Sequence, residues 1–150
     1  MLGRVKKLYI APLNTNGIRK GQESIVVQKD FGIEGDKFAG KELDRAIMLI
    51  GKNSYELAKE KGITLPEVAL GENILLDFDP HSLEPGTLLI VGEALLEITK
   101  ECTLCKHLTK YSSKLPKLLL GRRGIYCTIL KSGTIKQGDS IKILRQEVAI

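Results

Sequence analysis

Two cysteines three positions apart and two arginines held between glycines are the side chains in this sequence best suited to chemistry. Cys102-Thr103-Leu104-Cys105 follows the strand-like run Ala94-Leu95-Leu96-Glu97-Ile98-Thr99, and Gly121-Arg122-Arg123-Gly124 comes further along. A thiol beside fixed positive charge is biased toward thiolate, the form that attacks sulfur or binds soft metals. Arginines flanked by glycine have little bulk beside them and can meet an oxyanion with both arms of the guanidinium. Together they indicate a soft nucleophile or ligand at Cys105 and a cationic cradle for an anion.

Other uses of the cysteines fit less well. A zinc site would need two further ligands, and only Cys127, His81 and His107 are available, with no second Cys-x-x-Cys. A thioredoxin-like dithiol should open a long helix inside a βαβ pattern, and none is expected here. Cys127, between Tyr126 and Ile129 in an apolar run, is expected to be buried as a small hydrophobe. Two glycine-spaced segments add candidate ligands. Gly32-Ile33-Glu34-Gly35-Asp36-Lys37-Phe38-Ala39-Gly40 lacks a P-loop ending, but its backbone N–H groups, Asp36 and Lys37 could face an anion. In Gly71-Glu72-Asn73-Ile74, Asn73 could bond the edge of a heterocycle or cap a turn.

These residues must be positioned by many short strands. Apolar residues predict strands around Val5–Ile10, at 24–29, 45–50, 73–78, 87–91, 94–99, 125–130, 134–136 and 140–144. Residues 31–41 read as a loop. Gly92-Glu93 suits a two-residue hairpin with positive φ at glycine. Asn53 or Ser54 would cap a peripheral helix ending at Gly62, and 104–112 and 115–120 read as short helices or irregular segments. Short strands with few helices predict a mainly β fold, a single-domain antiparallel β-barrel with a few short helices over residues 1–150.

Bulk properties narrow the function classes. A chain of 150 residues, 43% hydrophobic and 27% charged, fits one soluble domain. Its apolar runs are too short to cross a bilayer, and the start Met1-Leu2-Gly3-Arg4-Val5-Lys6-Lys7 lacks a signal peptide's apolar core, so a cytoplasmic location without membrane contact is expected. Three cysteines, an odd count, argue for reduced thiols. A net charge of +5 favours anionic partners. The lysines form no run and the aromatics are sparse, so no nucleic-acid partner is expected.

Taken in order, the segments resemble the MOSC domain, the C-terminal module of molybdenum cofactor sulfurases, which also occurs as small free-standing bacterial proteins. The resemblance runs through Gly32-Ile33-Glu34-Gly35-Asp36, Arg45 before an apolar strand, Gly71-Glu72-Asn73-Ile74 and Leu83-x-x-Gly86-x-x-Leu89. It continues through Gly92-x-Ala94-x-Leu96-Glu97-Ile98-Thr99, Cys105, Gly121-Arg122-Arg123-Gly124-Ile125-Tyr126 and Gly133-x-Ile135-x-x-Gly138-Asp139, covering roughly residues 3–144. It implies a β-barrel with a pocket for molybdopterin, in which Cys105 accepts sulfur or ligates molybdenum. Asp36, Lys37, Arg45, Asn73, Arg122 and Arg123 would bind the cofactor, with Asn73 orienting the pterin. Phe38 stands where the family often carries His. Two functions stay open: a cofactor-binding or sulfur-carrier protein served by a separate pyridoxal-phosphate-dependent cysteine desulfurase, and a molybdenum reductase of N-hydroxylated compounds. The second needs a separate electron donor, because no flavin or iron–sulfur motif is visible, so the carrier role is favoured. The alternative from another class is a basic β-barrel binding nucleic acid, with structural cysteines.

Overall fold

The computed structural model describes residues 2–103 and 108–145. Its strands are β1 (Gly3–Ile10), β2 (Lys20–Gln22), β3 (Ser24–Gln28), β4 (Gly32–Ile33), β5 (Ile47–Gly51) and β6 (Ile74–Leu76). Those that follow are β7 (Leu88–Val91), β8 (Ala94–Glu101), β9 (Ile125–Lys131), β10 (Gly133–Lys136) and β11 (Ser140–Arg145). Two helices, α1 (Lys52–Glu60) and α2 (Leu115–Leu118), and a 3-10 turn at Leu43–Arg45 complete the described elements. The large sheet runs β11-β7-β8-β9-β5-β6-β1, and β1 pairs back onto β11 through Gly3↔Ile141 and Arg4↔Ser140. Seven strands therefore close into the expected barrel, which removes the exposed edges an open sheet would present. β2 pairs with β1 outside that ring, and β10, β3 and β4 form a small second sheet.

Alternation along the strands builds the interior. Ala94, Leu96 and Ile98 of β8 and Ile125, Cys127 and Ile129 of β9 point inward with Val5, Leu8 and Leu89. Each such large aliphatic side chain contributes about 1.5–3 kcal/mol when fully buried. β5 does not alternate, because both its faces are covered. Ile47 and Leu49 face the barrel, whereas Met48 and Ile50 join Ala58, Leu70, Cys102, Leu108, Leu115 and Leu119 in a second apolar cluster outside it. That outer cluster seats α1 and the 108–119 segment against the barrel wall.

The topology corrects several sequence expectations. β5 and β6 are parallel, joined through α1, so a βαβ unit exists after all, although it does not carry the cysteine pair. Helix α1 is entered from Gly51 with no side-chain cap, and Ser54 Oγ donates instead to the Arg122 carbonyl at 2.9 Å. Residues 43–45 form the 3-10 turn rather than the start of β5, and Gly32–Ile33 pairs with β3 inside what reads as a loop. Gly92 has φ +57, as its hairpin position requires. No described helix is long and apolar enough to cross a membrane.

Candidate functional site

The predicted ligands among the described residues are carried on separate elements, and most are engaged by protein groups. Asp36 is buried, accepts the Ala11 N–H at 2.8 Å, and faces Arg19 at 3.8 Å. Lys37 donates through Nζ to the Thr15 carbonyl at 2.6 Å, so it ties the 12–17 loop down. Asn73 is also buried. Its side-chain oxygen accepts the Met48 N–H at 2.9 Å and its amide nitrogen donates to the Tyr9 carbonyl at 3.3 Å. Asn73 thereby stitches β5 to β1 just before β6 begins.

Arg45 lies at the end of the 3-10 turn, pairs with Glu42 at 3.1 Å, and holds its guanidinium 5.6 Å from the Tyr126 ring centroid. Tyr126 donates to Cys102 Sγ at 3.4 Å. Burial and that bond raise the Tyr126 phenol, while Arg45 and Arg19 oppose the shift. The two arginines of the Gly-Arg-Arg-Gly segment have separate jobs. Arg123 donates to the carbonyls of Pro116 and Thr103. Arg122 is about half exposed, 3.9 Å from Asp79, and borders a cleft with Asn53, Glu56 and Glu60.

Cys105 lies outside the described residues. The chain on either side of it is fixed, at Cys102 and Thr103 before and at Leu108 after. Cys102 is buried, with its N–H bonded to the Gly124 carbonyl at 2.8 Å. Arg123 therefore ties Thr103 to the start of α2, bracketing the segment that carries Cys105. Among the described residues, no three His, Cys, Asp or Glu side chains converge to hold a metal.

Sequence reasoning missed Arg19 and Glu72. Arg19 is mostly buried, its Nη1 has no hydrogen-bond partner, and its guanidinium sits 5.4 Å from the Phe38 ring centroid. Burial lowers it from its ordinary value, and Asp36 and Glu72 oppose that shift. Glu72 is fully buried, with Tyr55 Oη 2.7 and 2.8 Å from its two oxygens. Burial raises its carboxyl despite Tyr55 and Arg19. Nothing local marks Arg19, which follows a stretch without strand or helix periodicity. Glu72 sits beside the noticed Asn73, and only its burial distinguishes it from a surface acid.

Arg19 over Phe38 and Arg45 over Tyr126 each set a guanidinium on an aromatic ring, and Arg19 Nη1 keeps a donor without a hydrogen-bond partner despite Asp36 at 3.8 Å.

A family model, the MOSC domain, matches residues 33–142. No curated protein matches the chain. Among solved structures, the YUAD protein from Bacillus subtilis superposes with a TM-score of 0.76 at 25% identity, over 94% of each chain. YiiM from Escherichia coli gives 0.69 at 19% identity, over 98% of this chain and 72% of that one. YiiM from Geobacillus stearothermophilus gives 0.68 at 17%, over 96% and 74%. The YiiM likenesses show the shared fold.

Proposed function

The chain belongs to the MOSC domain family, which is associated with the molybdenum cofactor, and on that premise we propose that it binds this cofactor as a sulfur carrier acting through Cys105. The observation that carries the reading is Arg19 Nη1, buried without a hydrogen-bond partner and 3.8 Å from Asp36, in a guanidinium held over the Phe38 ring. A buried N–H donor without an acceptor is costly, and an anionic ligand would supply the hydrogen bond that the ion pair with Asp36 does not make. Arg19 and Arg45 would hold the anionic end of the cofactor, and the Phe38 and Tyr126 rings would flank it. Asp36 keeps Arg19 in place, while Asn73 and Lys37 fix the surrounding backbone.

When bound, the cofactor supplies a molybdenum centre with soft sulfur ligands, for which a thiolate is a matched donor. Cys105 would act as that donor. As a carrier, its thiolate attacks the terminal sulfur of a desulfurase persulfide, forming a new S–S bond and releasing the desulfurase thiolate. Arg123 would hold the Thr103 carbonyl, two residues before Cys105 in sequence. A separate desulfurase would be the partner. Reduction of N-hydroxylated compounds is the second reading and would require an external electron donor.

The test is molybdenum and pterin content of protein purified from a molybdopterin-producing host. Near-stoichiometric cofactor is expected in the wild type, with a loss of about tenfold or more in Arg19→Gln. Wild-type protein without molybdenum or pterin would overturn the reading.

A further inference from the structure

His81 is engaged on both ring nitrogens, although it belongs to none of the motifs above. Gly124 N–H donates to His81 Nε2 at 3.0 Å, and His81 Nδ1 lies 2.7 Å from Asp79 Oδ1. A backbone N–H can only donate, so Nε2 carries no proton and the ring's single proton sits on Nδ1, facing the Asp79 carboxylate. The imidazole is 5% exposed. Burial would raise Asp79, but bonds from the His81 backbone and ring, with Arg122 nearby, hold its carboxyl below the usual range.

Gly124 is the residue through which this contact reaches the thiol segment. Its carbonyl accepts the Cys102 N–H at 2.8 Å, and its neighbour Arg123 donates to the Thr103 carbonyl at 3.2 Å. Gly124 has φ +123, and a Cβ there would lie 2.9 Å from Met48 Sδ and 3.2 Å from Ile50. Its backbone is therefore seated against β5 with no room to shift inward. Ser54 Oγ and the Leu119 carbonyl hold Arg122 from the other side.

We propose that His81 is a positioning residue, a pH-sensitive pin: neutral, it anchors Gly124 and thereby the backbone leading to Cys105; protonated, it releases them. Adding a proton to Nε2 sets two N–H donors against each other, so the bond to Gly124 is lost on acidification. Asp79 Oδ1 faces Nδ1 at 2.7 Å, and Arg122 stands 3.9 Å from the other Asp79 oxygen. Across the cleft of about 500 Å³ that His81 borders stand Glu84, Lys100 and Glu101, with Lys100 engaged by Asp44 at 2.9 Å. The pin stands on geometry alone, whereas its bearing on Cys105 chemistry rests on the proposed function.

Amide exchange of Gly124, taken relative to the free-peptide rate at each pH, reads the pin directly. Protection should fall about tenfold between pH 7.5 and pH 5 in the wild type, the loss of one hydrogen bond. It should stay flat in His81→Gln, which keeps an acceptor without a titrating ring, and be low at both pH values in His81→Leu. Wild-type protection that does not change with pH overturns the pin. So does an imidazole nitrogen spectrum showing the proton on Nε2 at pH 8, a measurement that needs no variant. At pH 7.5 the alkylation rate of Cys105 should differ several-fold between His81→Gln and His81→Leu; equal rates would overturn the coupling to the thiol. Molybdenum content is measured separately, so an empty wild-type protein would count against the cofactor reading and leave the pin standing.

Discussion

The three cysteines share a chemistry and differ in their surroundings. Cys127 is fully buried in the barrel, and burial followed by the nearby Glu97 pushes its thiol up. Cys102 is 5% exposed and receives the Tyr126 hydroxyl. Both should resist iodoacetamide in the native protein at pH 7.5, reacting at least about tenfold more slowly than Cys105, with the difference lost in denaturant. Mass mapping of the modified peptides checks this. Cys105→Ser should abolish persulfide formation and molybdenum retention with the fold intact, because a serine hydroxyl is neither soft nor ionised near neutral pH. Cys102→Ser should leave both largely in place. Equal loss in the two variants would instead indicate a redox dithiol.

Between elements, a few side chains do the joining. Asn73 satisfies a backbone donor on β5 and a backbone acceptor on β1, both buried. Asn73→Ala should cost about 2–3 kcal/mol in urea unfolding, since two buried polar groups lose their partners. A variant that loses cofactor yet keeps full stability would return Asn73 to the pterin-orienting role read from its motif. The β7–β8 hairpin depends on Gly92, whose φ is +57 and whose missing Cβ leaves space for Asp139 and the Thr134 carbonyl. Gly92→Ala should destabilise by about 1–2 kcal/mol, read as a lower Tm with cofactor affinity unchanged.

For the molecule as a whole, the buried Glu72 links stability to pH. Burial raises its folded-state carboxyl, against the smaller pull of Tyr55 and Arg19. The folded protein thus holds this proton more tightly than the unfolded chain does. Its contribution to stability is present below the ordinary carboxylate range and is lost as pH rises toward the raised value. Glu72→Gln keeps the shape and removes the titration. It should raise Tm by about 2–5 °C at pH 8 and make no difference at pH 4, as thermal unfolding at the two pH values will show. A gain of equal size at both would mean that ionisation of Glu72 is not the cause.

The sequence by itself carried the barrel class, the position of nearly every barrel strand, the Gly92 turn and the family resemblance. All of these are local properties: alternation over a few residues, turn chemistry, and ordered short motifs. It misread α1's cap, because Gly51 passes from strand to helix without a capping side chain, and the start of β5, where Leu43–Arg45 form a 3-10 turn. The parallel pairing of β5 with β6 is a tertiary contact no local pattern marks. Only the tertiary structure decided which charges are free. Lys37 and Arg123 read as cations awaiting an anion, and folding assigns both to backbone carbonyls. Arg19 carried no local mark, and folding leaves its Nη1 buried without a hydrogen-bond partner, 3.8 Å from Asp36. The contacts that settle this join residues far apart, such as Tyr9 with Asn73 and His81 with Gly124. Their partners are set by how the barrel closes, and no local pattern of residue types encodes that closure.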